Sequence, residues 1–317
     1  LVHGDKDKFC NNTLRSTQSN EVFFNNVIMP GVSFLPSISA FCWMPSNHLN
    51  INRLRKENIF PRGYELQKPV SEYIAHELVA GKVRGDKPGF FTSPNYAKNL
   101  AQEFLKYNIE NKPFVTLTAR ELDRSDTNGT RKVDIKHWHQ ILKKIKDSGV
   151  VPLVIRDTQN AFSDPLFEDI LEVNLASVHL PFRLAIYERA LINFIKFNGP
   201  AALLIFSRSH SMHLGSFDNE TNVAADSWYA NHYGMSAGDQ FPMSTNETEF
   251  LWNSEDPNYI VNSVKQKIEL PNSERLTHNF SGAVNGLLSF QVAFSQFTKN
   301  IKYNVMQEDA DLLKGLS

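Results

Sequence analysis

Phe114-Val-Thr-Leu-Thr-Ala-Arg-Glu-Leu-Asp-Arg-Ser-Asp-Thr-Asn-Gly129 opens the stretch on which the reading of this chain turns. Five β-prone, mostly apolar residues run into a polar loop rich in charges and amides. Asp134 follows as an N-cap, and Ile135, Trp138, Ile141, Leu142 and Ile145 recur at helical spacing, which predicts an amphipathic helix over Ile135–Lys146. Gly149 supplies the stop, and Val150-Val-Pro-Leu-Val-Ile155 reads as a second buried strand that ends in Arg156-Asp157-Thr158. Strand, helix and strand in that order predict a right-handed parallel crossover, half of a nucleotide-binding sheet.

In such sheets ligands lie outside the carboxyl ends of the strands, which directs attention to Arg120–Asn128 and to Arg156, Asp157 and Thr158. A guanidinium on a strand-end loop can grip a diphosphate with two parallel hydrogen bonds, and Arg120 is the best-placed arginine. A plainer reading stands beside it: Arg120, Glu121, Asp123 and Arg124 as solvated loop charges pairing among themselves, worth under ~1 kcal/mol a pair.

Working outward toward the amino terminus, residues 94–110 show helical spacing, with Tyr96, Leu100, Phe104 and Tyr107 as the expected buried stripe. Residues 21–111 then form a smaller α/β domain, with Asn108–Pro113 as the joint to the next. Residues 112–280 form a Rossmann-like domain. Its second unit is expected to place a short strand at Ile170–Leu175 and a helix from Pro181 that buries Leu184, Tyr187, Leu191, Phe194 and Ile195. Asn198-Gly199-Pro200 would close that helix, and Ala201–Phe206 would be another buried strand, carrying Ser207–His213 to the rim of the first site. Arg183 and Glu188 flank the helix stripe, as solvated charges or as ligand contacts. Gly215–Pro257 reads as loop, Asp256 as the cap of a helix over Pro257–Lys267, and residues 281–317 as a helix packing back on the body.

Composition narrows the function. The 317 residues are 41% hydrophobic, enough for a large core or two domains, and 33 Lys+Arg against 34 Asp+Glu leave a net charge of -1. Such balance offers no global attraction to nucleic acid. Cys10 and Cys42 are too sparse for a disulfide scaffold or a zinc module, and a reducing cytoplasm is the expected compartment. No apolar run is long enough to span a bilayer and no amino-terminal signal is visible, although a start at Leu1 leaves a removed leader open. Peripheral membrane association is left open too. His48 and His76 stand far apart, and His137 and His139, two residues apart on a helix, point to different sides and read as solvent-facing neighbours of Trp138, so no metal is expected. Glycine-rich dinucleotide, P-loop, nucleophile-elbow and His-Glu-x-x-His motifs are all missing.

Several stretches together carry a likeness: Val115-Thr-Leu-Thr-Ala-Arg-Glu-Leu-Asp123 with Asn128, Pro152-Leu-Val-Ile-Arg-Asp157, Arg183-Leu-Ala-Ile-Tyr-Glu188, Asn193 and Asn198-Gly-Pro200. Asn25-Asn-Val-Ile-Met-Pro30, Leu35-Pro-Ser37 and Gly238-Asp-Gln-Phe-Pro242 add to it. The chain resembles a glycosyltransferase-like group of uncharacterised bacterial proteins from surface-polysaccharide gene clusters and, more distantly, the fucosyltransferase branch of the GT-B glycosyltransferases. That resemblance implies an α/β, GT-B-like fold, two Rossmann-like units with parallel sheets and a cleft between them, the second unit holding a nucleotide-sugar. It also implies an arginine that neutralises the departing diphosphate without a metal. Arg120 stands at that arginine, and Glu188 with Asn198, Gly199, Pro200 and Ala201 at the second nucleotide-binding motif. Ala119 and Glu121 depart from the family, which is more basic there.

The expected function is therefore transfer of a sugar from a nucleotide-sugar to a glycan or polysaccharide acceptor, with no cofactor beyond the donor. Arg120, Glu121 and Asp123 are the catalytic candidates, the last two as possible bases. Asn128, Asp157, Thr158, Arg183, Glu188 and Asn198–Ala201 are the substrate-binding candidates. A non-catalytic sugar-nucleotide or glycan-binding protein on the same scaffold is the alternative.

Overall fold

A six-stranded, wholly parallel sheet in the order β3-β2-β1-β4-β5-β6 forms the centre of the molecule. Its strands are β1 (Phe114–Thr118), β2 (Val151–Ile155), β3 (Leu171–Glu172), β4 (Asn193–Lys196), β5 (Ser211–Leu214) and β6 (Thr248–Leu251). The computed structural model describes residues 29–34, 90–121, 132–196, 199–214, 239–240, 247–252 and 255–270. The helices are α1 (Met29–Val32), α2 (Asn95–Ile109), α3 (Ile135–Asp147), α4 (Asn174–Val178), α5 (Leu180–Tyr187), α6 (Ala201–Ile205) and α7 (Pro257–Glu269).

The β1-α3-β2 crossover forms as the sequence pattern predicts. Asp134 caps α3 by accepting from the His137 amide at 3.0 Å, and Gly149, at φ 85°, takes the left-handed turn that ends it. Trp138, Ile141, Leu142 and Ile145 are fully buried against Val115, Leu117, Val154 and Phe194, with α7 beside them. Ile135, expected in the same stripe, is 42% exposed. On the other face lie α2, α4, α5 and α6. α2, at the end of the stretch read as a separate first unit, packs on this sheet.

Four sequence expectations are corrected. The buried face of α2 is Ala97, Ala101, Leu105 and Ile109, not the aromatic stripe: Tyr96, Leu100 and Tyr107 are 56%, 41% and 77% exposed. An i, i+4 ridge of small and aliphatic residues lets α2 seat closely on α5, while Phe104 meets Phe182 edge-on at the seam. The helix from Pro181 ends at Tyr187, and Asn193–Lys196 is strand β4, because Leu191 and Thr116 bond into the ladder (Leu191 N to Phe114 O 2.9 Å, Thr116 N to Ile192 O 3.1 Å). Ala201–Phe206, expected as a strand, holds helix α6, entered through the Gly199-Pro200 turn with Pro200 at its start. Ser207–His210 accordingly precede β5 rather than follow a strand. Gly215–Pro257, read as loop, contains β6. The readings for 35–89 and 281–317, and with them most of the first Rossmann-like unit and the cleft, lie outside the described residues.

Asn193 locks the centre of the sheet. Its Oδ1 accepts from Thr116 Oγ1 at 2.7 Å, and its Nδ2 donates to the Tyr187 and His210 carbonyls at 3.0 and 2.8 Å. The Tyr187 hydroxyl bonds Thr118 Oγ1 at 2.6 Å, so α5 is keyed to β1 and β4 by polar contacts inside an otherwise apolar layer.

Candidate functional site

From β1 the sheet grows outward in one direction through β2 and β3, and from β4 in the other through β5 and β6. The boundary between β1 and β4 is thus the topological switch point, beyond whose carboxyl ends open α/β sheets bind their ligands. Thr118 pairs with Ile195, so Arg120 and the Gly199-Pro200-Ala201 turn leave neighbouring strands at one rim.

Three hydrogen bonds hold the backbone around Arg120. The Ala119 amide donates to Ile155 O at 2.9 Å, the Arg120 carbonyl accepts from Val133 N at 3.0 Å, and the Glu121 amide donates to Asp157 Oδ2 at 2.8 Å. The Arg120–Val133 bond joins the backbone on either side of residues 122–131. The Glu121 carboxylate is held by Arg156 in a two-pronged pair, Nε to Oε1 at 2.9 Å and Nη2 to Oε2 at 2.6 Å, and accepts from Asn160 Nδ2 at 3.1 Å. Arg156, only 6% exposed, also donates to the Asp164 carbonyl at 2.5 Å and lies 3.5 Å from Glu172. The hydrogen bond that Arg156 donates to Glu121 outweighs burial and raises the guanidinium pKa above its ordinary value, so Arg156 stays charged.

A second buried ion pair lies beside Lys132. Lys196, the last residue of β4, pairs with Glu255 Oε1 at 2.6 Å and donates to Lys132 O at 2.9 Å. Trp138 Nε1 donates to the same carboxylate at 2.5 Å, and His137 Nε2 donates to the Glu255 carbonyl at 2.8 Å. His139 pairs with Asp169 Oδ1 at 2.6 Å. His137 and His139, expected to face solvent, are therefore both half-buried and engaged. Among the described residues no group of three His, Cys, Asp or Glu side chains is arranged to hold a metal ion, and no helix is long and apolar enough to cross a membrane.

The remaining candidates divide. Thr158 is exposed and donates to Ser177 O at 2.8 Å; Arg183 is buried, donating to Ala176 O at 2.6 Å and Arg156 O at 3.3 Å, which ties α4 and α5 to the exit of β2. Arg183 has no carboxylate within ion-pair distance among the described residues; carbonyl oxygens meet its charge. Glu188 belongs elsewhere. It accepts from the Ser93 amide at 2.8 Å and from the Ser93 hydroxyl, anchoring the start of α2, and is not brought to Arg120. Gly199 is exposed, Pro200 half-buried and Ala201 buried, while Asp123, Asn128 and Asn198 lie outside the described residues.

No protein-family model matches the chain, and no curated protein does. Solved structures do. The ADP-heptose LPS heptosyltransferase II of E. coli aligns at 7% identity and a TM-score of 0.39 over 56% of this chain and 53% of that one. A family 9 glycosyl transferase from Veillonella parvula aligns at 10% and 0.38 over 73% and 55%, and a UDP-forming α,α-trehalose-phosphate synthase from Burkholderia vietnamiensis at 12% and 0.34 over 76% and 48%. The chain spans about half the length of these structures, and at such scores the likeness carries no argument about activity.

Lys196 and Glu255 are the rim residues that sequence reasoning passed over, and Arg156, placed at the rim by its position after β2, was given no role there. Opposite charges at the ends of adjacent strands, Glu121 after β1, Arg156 after β2 and Glu172 in β3, were a readable signal once the strands were aligned. Lys196 and Glu255 gave none while β4 was read as helix.

Proposed function

We propose that the chain is a glycosyltransferase that takes a sugar from a nucleotide-sugar and passes it to a glycan or polysaccharide acceptor, without a metal. One observation carries the reading: Arg120 and the Gly199-Pro200-Ala201 turn emerge from β1 and β4, the two strands that flank the switch point of a parallel sheet. A guanidinium there offers paired donors to a diphosphate and counters the charge that grows on it as the glycosidic bond breaks. The resemblance at 115–123 and 198–200 points to the same chemistry, to a GT-B arrangement of the fucosyltransferase kind, and to a bacterial surface-polysaccharide setting in the cytoplasm or at the inner face of a membrane. Asp123, Asn128 and Asn198 extend the site in this reading. Glu121, with both carboxylate oxygens taken by Arg156, is assigned to holding the loop and not to proton transfer.

That engagement of Glu121 is also the observation that favours the alternative, a sugar-nucleotide-binding protein without turnover. Calorimetry with UDP, GDP, ADP and CMP, in buffer containing a chelator, separates the readings when joined to a product assay over a panel of sugar nucleotides and glycan acceptors. Binding with chelator-insensitive transfer supports the enzyme, and binding with neither transfer nor hydrolysis supports the alternative. Replacement Arg120→Ala is expected to weaken binding of the preferred nucleotide by about 10- to 100-fold, the loss of a charge-assisted paired contact. Unchanged affinity removes Arg120 from the site.

A further inference from the structure

The rim holds two buried ion pairs, and burial of charge is an inefficient way to stabilise a fold. Replacing such a pair by well-packed apolar residues is often neutral or stabilising, so fixed geometry is the more economical account of their presence at this rim. Here Arg156 and Asn160 grip the Glu121 carboxylate and Asp157 accepts from the Glu121 amide, while Lys196 holds the Lys132 carbonyl beside the Arg120–Val133 bond.

We infer that Asp157 and Arg156 are positioning residues for Arg120: their bonds to Glu121 fix the peptide that follows Arg120 and so preset the direction in which its guanidinium leaves the sheet. The inference rests on the proposed function for what Arg120 meets, an anionic diphosphate, and on the geometry alone for how it is held. Asp157 is the more informative of the two to alter. It is half-buried and accepts from the Glu121 amide, so truncating it removes that hold on the Glu121 peptide while the Arg156–Glu121 pair stays to hold the fold. A carboxylate that acted on substrate by charge would fail equally as alanine or asparagine. A side chain needed only to accept from an amide keeps its role as asparagine, whose Oδ1 accepts in the same place.

The test uses the full chain with Asp157→Ala, Asp157→Asn, Arg120→Ala and the double variant Arg120→Ala/Asp157→Ala. Two readouts are needed: limited tryptic cleavage after Arg120 and Arg124 in the native protein, and calorimetric binding of UDP and GDP. Positioning predicts that Asp157→Ala speeds cleavage at these arginines by about fivefold or more and weakens nucleotide binding by about tenfold. Asp157→Asn should stay within about twofold of the parent in both. The double variant should bind no worse than Arg120→Ala alone, because Asp157 acts through Arg120. Unchanged cleavage in Asp157→Ala, equal losses in Ala and Asn, or additive losses in the double variant each overturn the inference. Should Asp157→Ala loosen the loop and Asp157→Asn restore it while no form binds a nucleotide, positioning stands and the glycosyltransferase reading falls.

Discussion

Glu247 sets an acid limit on the fold that can be calculated and measured. It stands just ahead of β6; its carbonyl accepts from the Ser211 amide at 2.7 Å, and its carboxylate pairs with His210 Nδ1 and, at 3.0 Å, with Lys267 Nζ of α7. Burial alone would push this carboxyl up, but the hydrogen bond and charge of His210, followed by those of Lys267, outweigh it and hold the pKa at about 2 against an ordinary 4.5. Unfolded chain therefore takes up a proton near 4.5 that the folded protein refuses until about 2. The stabilisation is whole above 4.5 and is lost as pH falls toward 2. At about 1.4 kcal/mol for each pH unit the gap is worth on the order of 3 kcal/mol, of which about 2 is lost between pH ~5.5 and pH ~3. The perturbation is Glu247→Gln, which cannot titrate. Urea unfolding of parent and variant, followed by the fluorescence of buried Trp138 and Trp252, gives the difference in stability at each pH, in which the titration of all other carboxylates cancels. That difference should shrink by about 2 kcal/mol from pH ~5.5 to pH ~3. A difference that stays flat over this range refutes the reasoning, since it would mean that Glu247 gains nothing from His210 and Lys267 on folding.

Two further outcomes follow from packing. Asn193→Leu, close in size, strands Thr116 Oγ1, while the Tyr187 and His210 carbonyls keep the backbone amides of Ala190 and of position 193; with about 1–3 kcal/mol for the orphaned buried hydroxyl it should destabilise by about that amount in the same urea assay. On α2, Leu105→Ala should cost about 2–5 kcal/mol and Tyr107→Gln less than about 0.5, the reverse of what a buried aromatic stripe would give.

Legibility along the chain tracked how many independent signals coincided. For β1-α3-β2, apolar runs, a helical stripe, a cap at Asp134 and a stop at Gly149 all agree, and the structure follows. On α2 two stripes offset by one residue compete, and hydrophobic size favours the wrong one. Ala97 and Ala101 are chosen because small residues let the helix approach α5, a tertiary demand that periodicity does not express. At 187–206 the same apolar residues satisfy helical and strand spacing. The decision came from backbone pairing with β1, and the one local cue, proline at the start of a helix, was read as a terminator.

The candidate site shows a different limit. Position after a strand told which residues could reach the rim, and Arg120, Glu121, Arg156 and Asp157 are all there. It could not tell which of two arginines turns inward. Arg156 does so because Glu121 and Glu172 approach it from the strands on either side, making burial of its charge tolerable, and that capture is what removes Glu121 from the list of bases. A strand-end guanidinium bracketed by acids on both neighbouring strands is thus better read as a fastener than as a ligand contact. By the same rule Arg156 is set aside as a ligand contact, and Glu121, the acid that fastens it, holds the peptide bond that follows Arg120.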